Sequence, residues 1–143
     1  MKKFMKSLVA MVLLFCVLLS TTGCISKNWS KVERKLEKKG YEVECLTNEE
    51  YIEEALEELY INAEYKAVDP AEVDCLMFAY KGSKTIIIAF CKDRATAKKM
   101  EAKAEDLLVE FADLMDMDKD DCKVGRDGKV AYIGHKDAVR AAK

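Results

Sequence analysis

The sequence has little proline, glycine and histidine: one proline, six glycines and a single histidine in 143 residues. So little proline and glycine excludes collagen-like and low-complexity chains. Half of the residues are apolar and 35% are charged, whereas a disordered chain would have fewer apolar residues. One histidine cannot supply a histidine-rich metal site. The length fits one folded domain rather than two.

An excess of positive charge is also absent, because 24 Lys and Arg stand against 26 Asp and Glu. A protein that binds a phosphate backbone must neutralise it with Lys and Arg, so no nucleic-acid partner is expected. The sequence has no glycine-rich phosphate loop, no C-x-x-C motif and no pattern that identifies a nucleophile with its base. We therefore expect no cofactor and no enzymatic activity.

The first residues form the pattern of an export signal. Lys2, Lys3 and Lys6 precede an uninterrupted run of twelve apolar residues at 8–19. A membrane-spanning helix needs about 20 such residues, because the hydrocarbon core is about 30 Å thick and a helix rises about 1.5 Å per residue. The shorter run is typical of the apolar region of a signal peptide.

A segment of small residues follows this run and ends at a cysteine, at 20–24 (STTGC). It resembles the lipobox of bacterial lipoproteins, in which the cysteine receives diacylglycerol and becomes the new N-terminus. Gly23 fits the position before the cysteine, whereas Thr21 stands where the family usually has leucine. The resemblance implies cleavage between Gly23 and Cys24, a lipid anchor with acyl chains such as palmitate on Cys24, and a place on the extracytoplasmic face of the cell membrane. The alternatives are an uncleaved N-terminal anchor and ordinary secretion.

This resemblance divides the chain into a signal peptide at 1–23, a lipidated cysteine with a short tether at 24–28 and a single domain at 29–143. Removing 1–23 takes away three lysines and no acidic residue, which changes the net charge from −2 to −5. The chain as a whole is similar to small uncharacterised lipoproteins of Gram-positive bacteria. That likeness implies no particular activity.

Hydrophobic periodicity predicts an α+β domain. Helices are expected from Trp29 to a stop at Gly40, and at 48–59, 93–115 and 136–142, with the second opened by a capping box of Thr47 and Glu50. Strands are expected at 41–46, 73–80, 85–91, 122–126 and 129–133. The middle of this order is the βαββαβ arrangement of ferredoxin-like folds. We therefore expect an antiparallel sheet with a ferredoxin-like middle, extra N-terminal and C-terminal helices, and a final β-hairpin.

The central hairpin is apolar on both faces. A two-residue turn places Tyr80 opposite Thr85, and five apolar side chains then share the face away from the long helices: Cys75, Met77, Ile86, Ile88 and Phe90. Such a patch is too large to leave in water. The first and last predicted helices are available to cover it, the first with Trp29, Val32 and Leu36, and a second copy of the chain is the alternative.

Four cysteines fall in predicted strands: Cys45, Cys75, Cys91 and Cys122. They are interpreted as small buried apolar residues, and whether any of them form a disulfide stays open at this point. Cys75 and Cys91 are expected on opposite faces of the hairpin and so cannot form one together. His135 is interpreted as an exposed or helix-capping residue.

Charge is segregated along the chain, with a net +4 at 27–39 and six glutamates at 48–58. One interpretation places Lys31, Arg34, Lys35 and Lys38 against anionic lipid near Cys24, and the other makes them an ordinary solvated face. The function that fits best is a membrane-anchored, non-enzymatic binding or interaction module, with an unknown protein partner or ligand. The alternatives are a structural component that forms a homodimer through the sheet, and a thiol-dependent enzyme.

Overall fold

The computed structural model describes residues 23–59 and 68–143, so most of the predicted signal peptide lies outside the described residues. The helices are α1 (Trp29–Lys38), α2 (Glu49–Leu59), α3 (Arg94–Asp106), α4 (Leu108–Leu114) and α5 (Lys136–Ala142). The strands are β1 (Glu42–Leu46), β2 (Val73–Lys81), β3 (Lys84–Cys91), β4 (Cys122–Asp127) and β5 (Val130–His135). No helix in these two ranges is long and apolar enough to cross a membrane.

The five strands form one sheet in the order β1-β2-β3-β5-β4, and every neighbouring pair is antiparallel. The α+β class, the antiparallel sheet, the terminal helices and the final hairpin are confirmed. The ferredoxin-like likeness holds for the order of elements along the chain. It does not extend to the order of strands in the sheet, because β1 lies at an edge beside β2 and no described pair is parallel.

The central hairpin has the predicted register, with Tyr80 opposite Thr85 and Gly82 in the turn at a φ of +63°. A positive φ is costly for residues with a Cβ atom, which explains glycine at this position. Cys75 packs on one face of the sheet and Cys91 on the other. The prediction that these two cysteines point to opposite faces is therefore confirmed.

Each face of the sheet is covered by helices of the same chain. The first layer consists of α1 and α5 and covers the face that carries Met77, Ile86 and Ile88. The second layer consists of α2, α3 and α4 and covers the face that carries Leu76 and Ile87. The predicted cover by α1 is confirmed, because Val32 and Leu36 are buried in the first layer with Trp29 packed beside them.

The expected long helix at 93–115 is interrupted. Asp93 caps its start, since its Oδ1 accepts a hydrogen bond from the Thr96 N–H at 2.7 Å. At Leu107 the backbone reaches a ψ of 4°, which ends α3, and α4 starts at the next residue. Phe111 in α4 is buried in the core of the second layer.

Two other helix starts show which side chains act as caps. Asn48 rather than Thr47 caps α2, because its Oδ1 accepts a hydrogen bond from the Glu50 N–H at 2.9 Å. Its amide oxygen does what the predicted threonine hydroxyl would have done. His135 is the N-cap of α5, and its Nδ1 accepts from the Asp137 N–H at 3.1 Å. The capping interpretation of His135 is thus confirmed.

Candidate functional site

The chain enters the domain directly after Cys24. Cys24 is exposed, whereas Ile25 retains only 3% of its exposed surface and packs in the first layer. The Ile25 N–H donates a hydrogen bond to Oδ2 of Asp127 at 2.8 Å. The folded part therefore starts four residues earlier than the sequence predicts, and residues 25–28 do not form a free tether. An apolar residue directly after Cys24 was the only signal of this in the sequence.

Asp127 places this contact at one end of the sheet. It pairs with Val130 where β4 and β5 meet, and Gly128 forms the turn between them at a φ of +65°. The ends of β1 and β3, at Leu46 and Cys91, lie at the same end because all neighbouring strands are antiparallel. We call this the anchor end.

Helix α1 starts at the anchor end and runs to the other end of the sheet. There the Lys39 ammonium donates to the Ala141 carbonyl at 3.0 Å, and the Lys81 ammonium donates to the Lys39 carbonyl at 2.9 Å. Lys81 belongs to the turn region of the β2–β3 hairpin, which is opposite the anchor end. The position of Cys24 relative to α1 is therefore defined by the fold.

The basic side chains of α1 point away from the sheet, as the spacing predicts. Lys31, Arg34 and Lys38 are exposed and Lys35 is half-buried. None of the four forms an ion pair with a residue that the structure describes. Since the buried positions are Val32 and Leu36, a surface of unpaired positive charge lies over the first layer.

The two layers carry opposite charge. The helices of the first layer contain six basic and three acidic side chains, a net +3. The helices of the second layer contain four basic and eleven acidic side chains, a net −7. The charge segregation seen along the sequence thus becomes a difference in charge between the two faces of the sheet, with Ile25 on the positive side.

The second layer contains an apolar cavity of about 100 Å³ between α3, α4 and the sheet. Leu76, Ile87 and Ile133 form its floor and Met100 and Phe111 part of its walls. Leu114 stands at the rim with 74% of its surface exposed, the most exposed large apolar side chain in the described ranges. An apolar pocket of this kind suits a small apolar group.

The four strand cysteines are unfavourable nucleophiles. All are free, Cys75 and Cys91 are buried, and Cys45 and Cys122 are half-buried. Burial raises the pKa of Cys75 to about 11 and that of Cys91 to about 12, and it raises the pKa of Cys45 and of Cys122 as well. The thiolate is the reactive form, so these thiols are protonated and slow to react at neutral pH.

We expect the stability of the domain to fall as the pH rises above about 9. Unfolded thiols ionise near pH 8.5, whereas the folded Cys75 and Cys91 stay protonated until about 11 and about 12. Between these values the unfolded state binds fewer protons, and each thiol lowers the unfolding free energy by up to about 1.4 kcal/mol per pH unit. Urea melts at pH 8 and pH 10.5 measure this loss.

The matched control for that measurement is the variant Cys75→Ala with Cys91→Ala, which should lose less stability between the two pH values than the natural chain.

In the folded state a thiol reagent at pH 7.5 should modify the four strand cysteines slowly, and unfolding should make them react at once. Rapid modification of one strand cysteine in the folded chain would contradict the account and support a thiol-dependent activity.

Within residues 23–59 and 68–143, no group of three or more His, Cys, Asp or Glu side chains is placed to hold a metal ion. In comparisons with known proteins, no family model matches the chain, no curated protein matches its sequence and no solved structure matches its fold. The features of the described residues that bear on function are the anchor end, the charged layers and the apolar cavity.

Proposed function

We propose that this chain is an extracytoplasmic lipoprotein that is anchored in the cell membrane through a lipid on Cys24 and acts as a non-enzymatic binding module. The observation that carries the proposal is the burial of Ile25 with its hydrogen bond to Asp127. No flexible linker would separate a lipid on the exposed Cys24 from the folded domain. The domain would lie directly on the bilayer, with its anchor end down.

The charge of the first layer favours this arrangement. Each Lys or Arg near an anionic membrane surface contributes about 1 kcal/mol, and the effect falls off over about 8 Å at physiological ionic strength. Lys31 is seven residues from Lys38, a distance of about 10 Å along α1. We therefore expect Lys31 to contribute more than Lys38 to membrane binding, with Arg34 and Lys35 between them.

With the anchor end down, the acidic second layer would stand on the side of the sheet opposite α1, together with the cavity between α3 and α4. An apolar cavity with an exposed rim at Leu114 suits a small apolar molecule or an apolar side chain of a partner. This cavity is the candidate binding site of the module. Its lining is apolar except for Glu110 and Tyr132.

Filling the cavity tests its role. Ala104 lines the cavity from α3, whereas Ala102 is exposed on the same helix and does not line it. Benzene or a short n-alkanol should shift the NMR signals of the Ile87 and Ile133 methyl groups. We expect Ala104→Phe to abolish these shifts and Ala102→Phe to leave them intact. Equal shifts in both variants would show that the cavity is not the binding site.

Two alternative functions receive less support from the structure. A homodimer through a sheet face needs an exposed face, and both faces are covered by helices within the described ranges. A thiol-dependent enzyme needs an acidic, accessible thiol, and the pKa values of the four strand cysteines are raised. Binding through the second layer is therefore the function we put forward.

A further inference from the structure

A polar cleft of about 430 Å³ opens at the anchor end, separate from the apolar cavity of the second layer. Three lysines from distant parts of the chain line it: Lys27 before α1, Lys92 after β3 and Lys129 before β5. Trp29 also lines the cleft. The antiparallel sheet brings these segments together, since Val73 pairs with Cys91 and Phe90 pairs with Val130.

The charge of this cleft is not neutralised within the described part of the chain. Lys27, Lys92 and Lys129 are exposed, and none forms an ion pair with a described residue. Asp74 is the single acidic residue among the lining residues. The cleft therefore has a local net charge of +2 and is suited to an anion with several oxygen atoms, such as a phosphate group.

The cleft lies close in the chain to Cys24. Lys27 is three residues from Cys24, and three residues of extended chain span at most about 11 Å. Lys129 stands beside the turn whose Asp127 holds Ile25. A lipid on Cys24 would thus keep the headgroups of the bilayer within reach of the cleft.

We propose that the cleft of Lys27, Lys92 and Lys129 binds the phosphate of anionic phospholipid headgroups and so sets the orientation of the domain on the membrane. This proposal rests on the lipid anchor of the proposed function. Trp29 would lie at the level of the headgroups, where the amphipathic indole ring is favoured. The cleft, rather than the far half of α1, would make the principal contact with the bilayer.

The single tryptophan makes the proposal measurable, because Trp29 is the only one in the chain. The full-length lipidated protein is reconstituted in vesicles of phosphatidylcholine alone or with phosphatidylglycerol. We expect phosphatidylglycerol to shift the Trp29 emission to shorter wavelength and to protect it from acrylamide. In about 1 M salt, where the screening length falls to about 3 Å, the shift should be lost.

Charge reversal of the cleft is compared with a matched reversal elsewhere. The test variant carries Lys27→Glu, Lys92→Glu and Lys129→Glu. The control carries three reversals on the second-layer side, at positions that are also exposed: Lys98→Glu, Lys99→Glu and Lys119→Glu. Both variants change the net charge equally, and thermal melts establish that both are folded. We expect the test variant to lose the phosphatidylglycerol effect on Trp29 and the control to keep it.

An undiminished effect in the test variant, or an equal loss in the control, would overturn the proposal. Inorganic phosphate added to the phosphatidylcholine sample should leave the Trp29 emission unchanged. If it reproduces the shift, the cleft takes free phosphate and the headgroup proposal is overturned.

Flotation with phosphatidylcholine vesicles tests the lipid anchor and not the cleft, so a failure of the proposed function is distinguished from a failure of this proposal.

Discussion

Replacing Cys24 with alanine is expected to abolish the lipidated membrane-bound form. The chain should then be found as the unprocessed precursor or in the medium. The thioether to diacylglycerol forms only on a cysteine sulfur, so the variant would have no lipid. The described residues contain no membrane-spanning helix that could replace it. Fractionation followed by immunoblotting measures the change, and we expect it to involve nearly all of the protein.

Cys122→Ala is the matched control for this experiment, because Cys122 is half-buried in β4 and far from Cys24 in the sequence. It should remain in the membrane fraction. If Cys24→Ala instead stays membrane-bound as a shortened form, an element other than the Cys24 lipid holds the protein to the membrane. The lipoprotein proposal would then fail, while the description of the fold would stand.

Replacing Leu36 with alanine is expected to destabilise the domain by about 2–5 kcal/mol, the range for a fully buried leucine. Leu36 retains none of its exposed surface and packs between α1 and the sheet. Domains of this size are stable by about 5–15 kcal/mol in total, so the loss is a large part of the whole. Urea unfolding followed by circular dichroism gives the difference in unfolding free energy.

Leu114→Ala makes the same chemical change at a position that is 74% exposed. Its effect should be within about 0.5 kcal/mol.

A chain that starts at Gly40 lacks α1 and Ile25, which leaves α5 as the only described helix on the first-layer face of the sheet. Part of this apolar face is then exposed, and the fragment should self-associate in light scattering. A monomeric and stable fragment would show that α1 is an appendage to the domain and not part of its core.

The parts of the fold that could be predicted are those set by local periodicity. The β2–β3 register follows from a two-residue turn with Gly82 and from alternation along both strands. The burial of Val32 and Leu36 follows from their helical spacing and from a sheet face that needed a cover. In both cases neighbouring residues carry the information.

The parts that could not be predicted depend on contacts between distant segments. Ile25 is held by Asp127, which is 102 residues away. The order of strands was not predicted either. β1 can pair with more than one strand of the sheet, and no local sequence pattern specifies that it pairs with β2. The break at Leu107 was not predicted either, because no glycine or proline marks it in the sequence.

In the candidate site, too, features set by local spacing were predictable and features set by distant segments were not. The outward position of Lys31, Arg34 and Lys38 was visible in the helical spacing of α1. The lysine cleft was not, because Lys27, Lys92 and Lys129 lie far apart in the sequence and meet only once the sheet has formed. The apolar cavity also escaped prediction, since its lining residues are ordinary core positions of α3, α4 and the sheet.

The mass of the intact protein extracted from membranes tests the central proposal most directly. We predict a chain of residues 24–143 whose N-terminal peptide carries the added mass of a diacylglycerol on Cys24. After unfolding it should have four thiols that react with a thiol reagent: Cys45, Cys75, Cys91 and Cys122. A chain that retains Met1, or a shortened chain with an unmodified and reactive Cys24, would contradict the account.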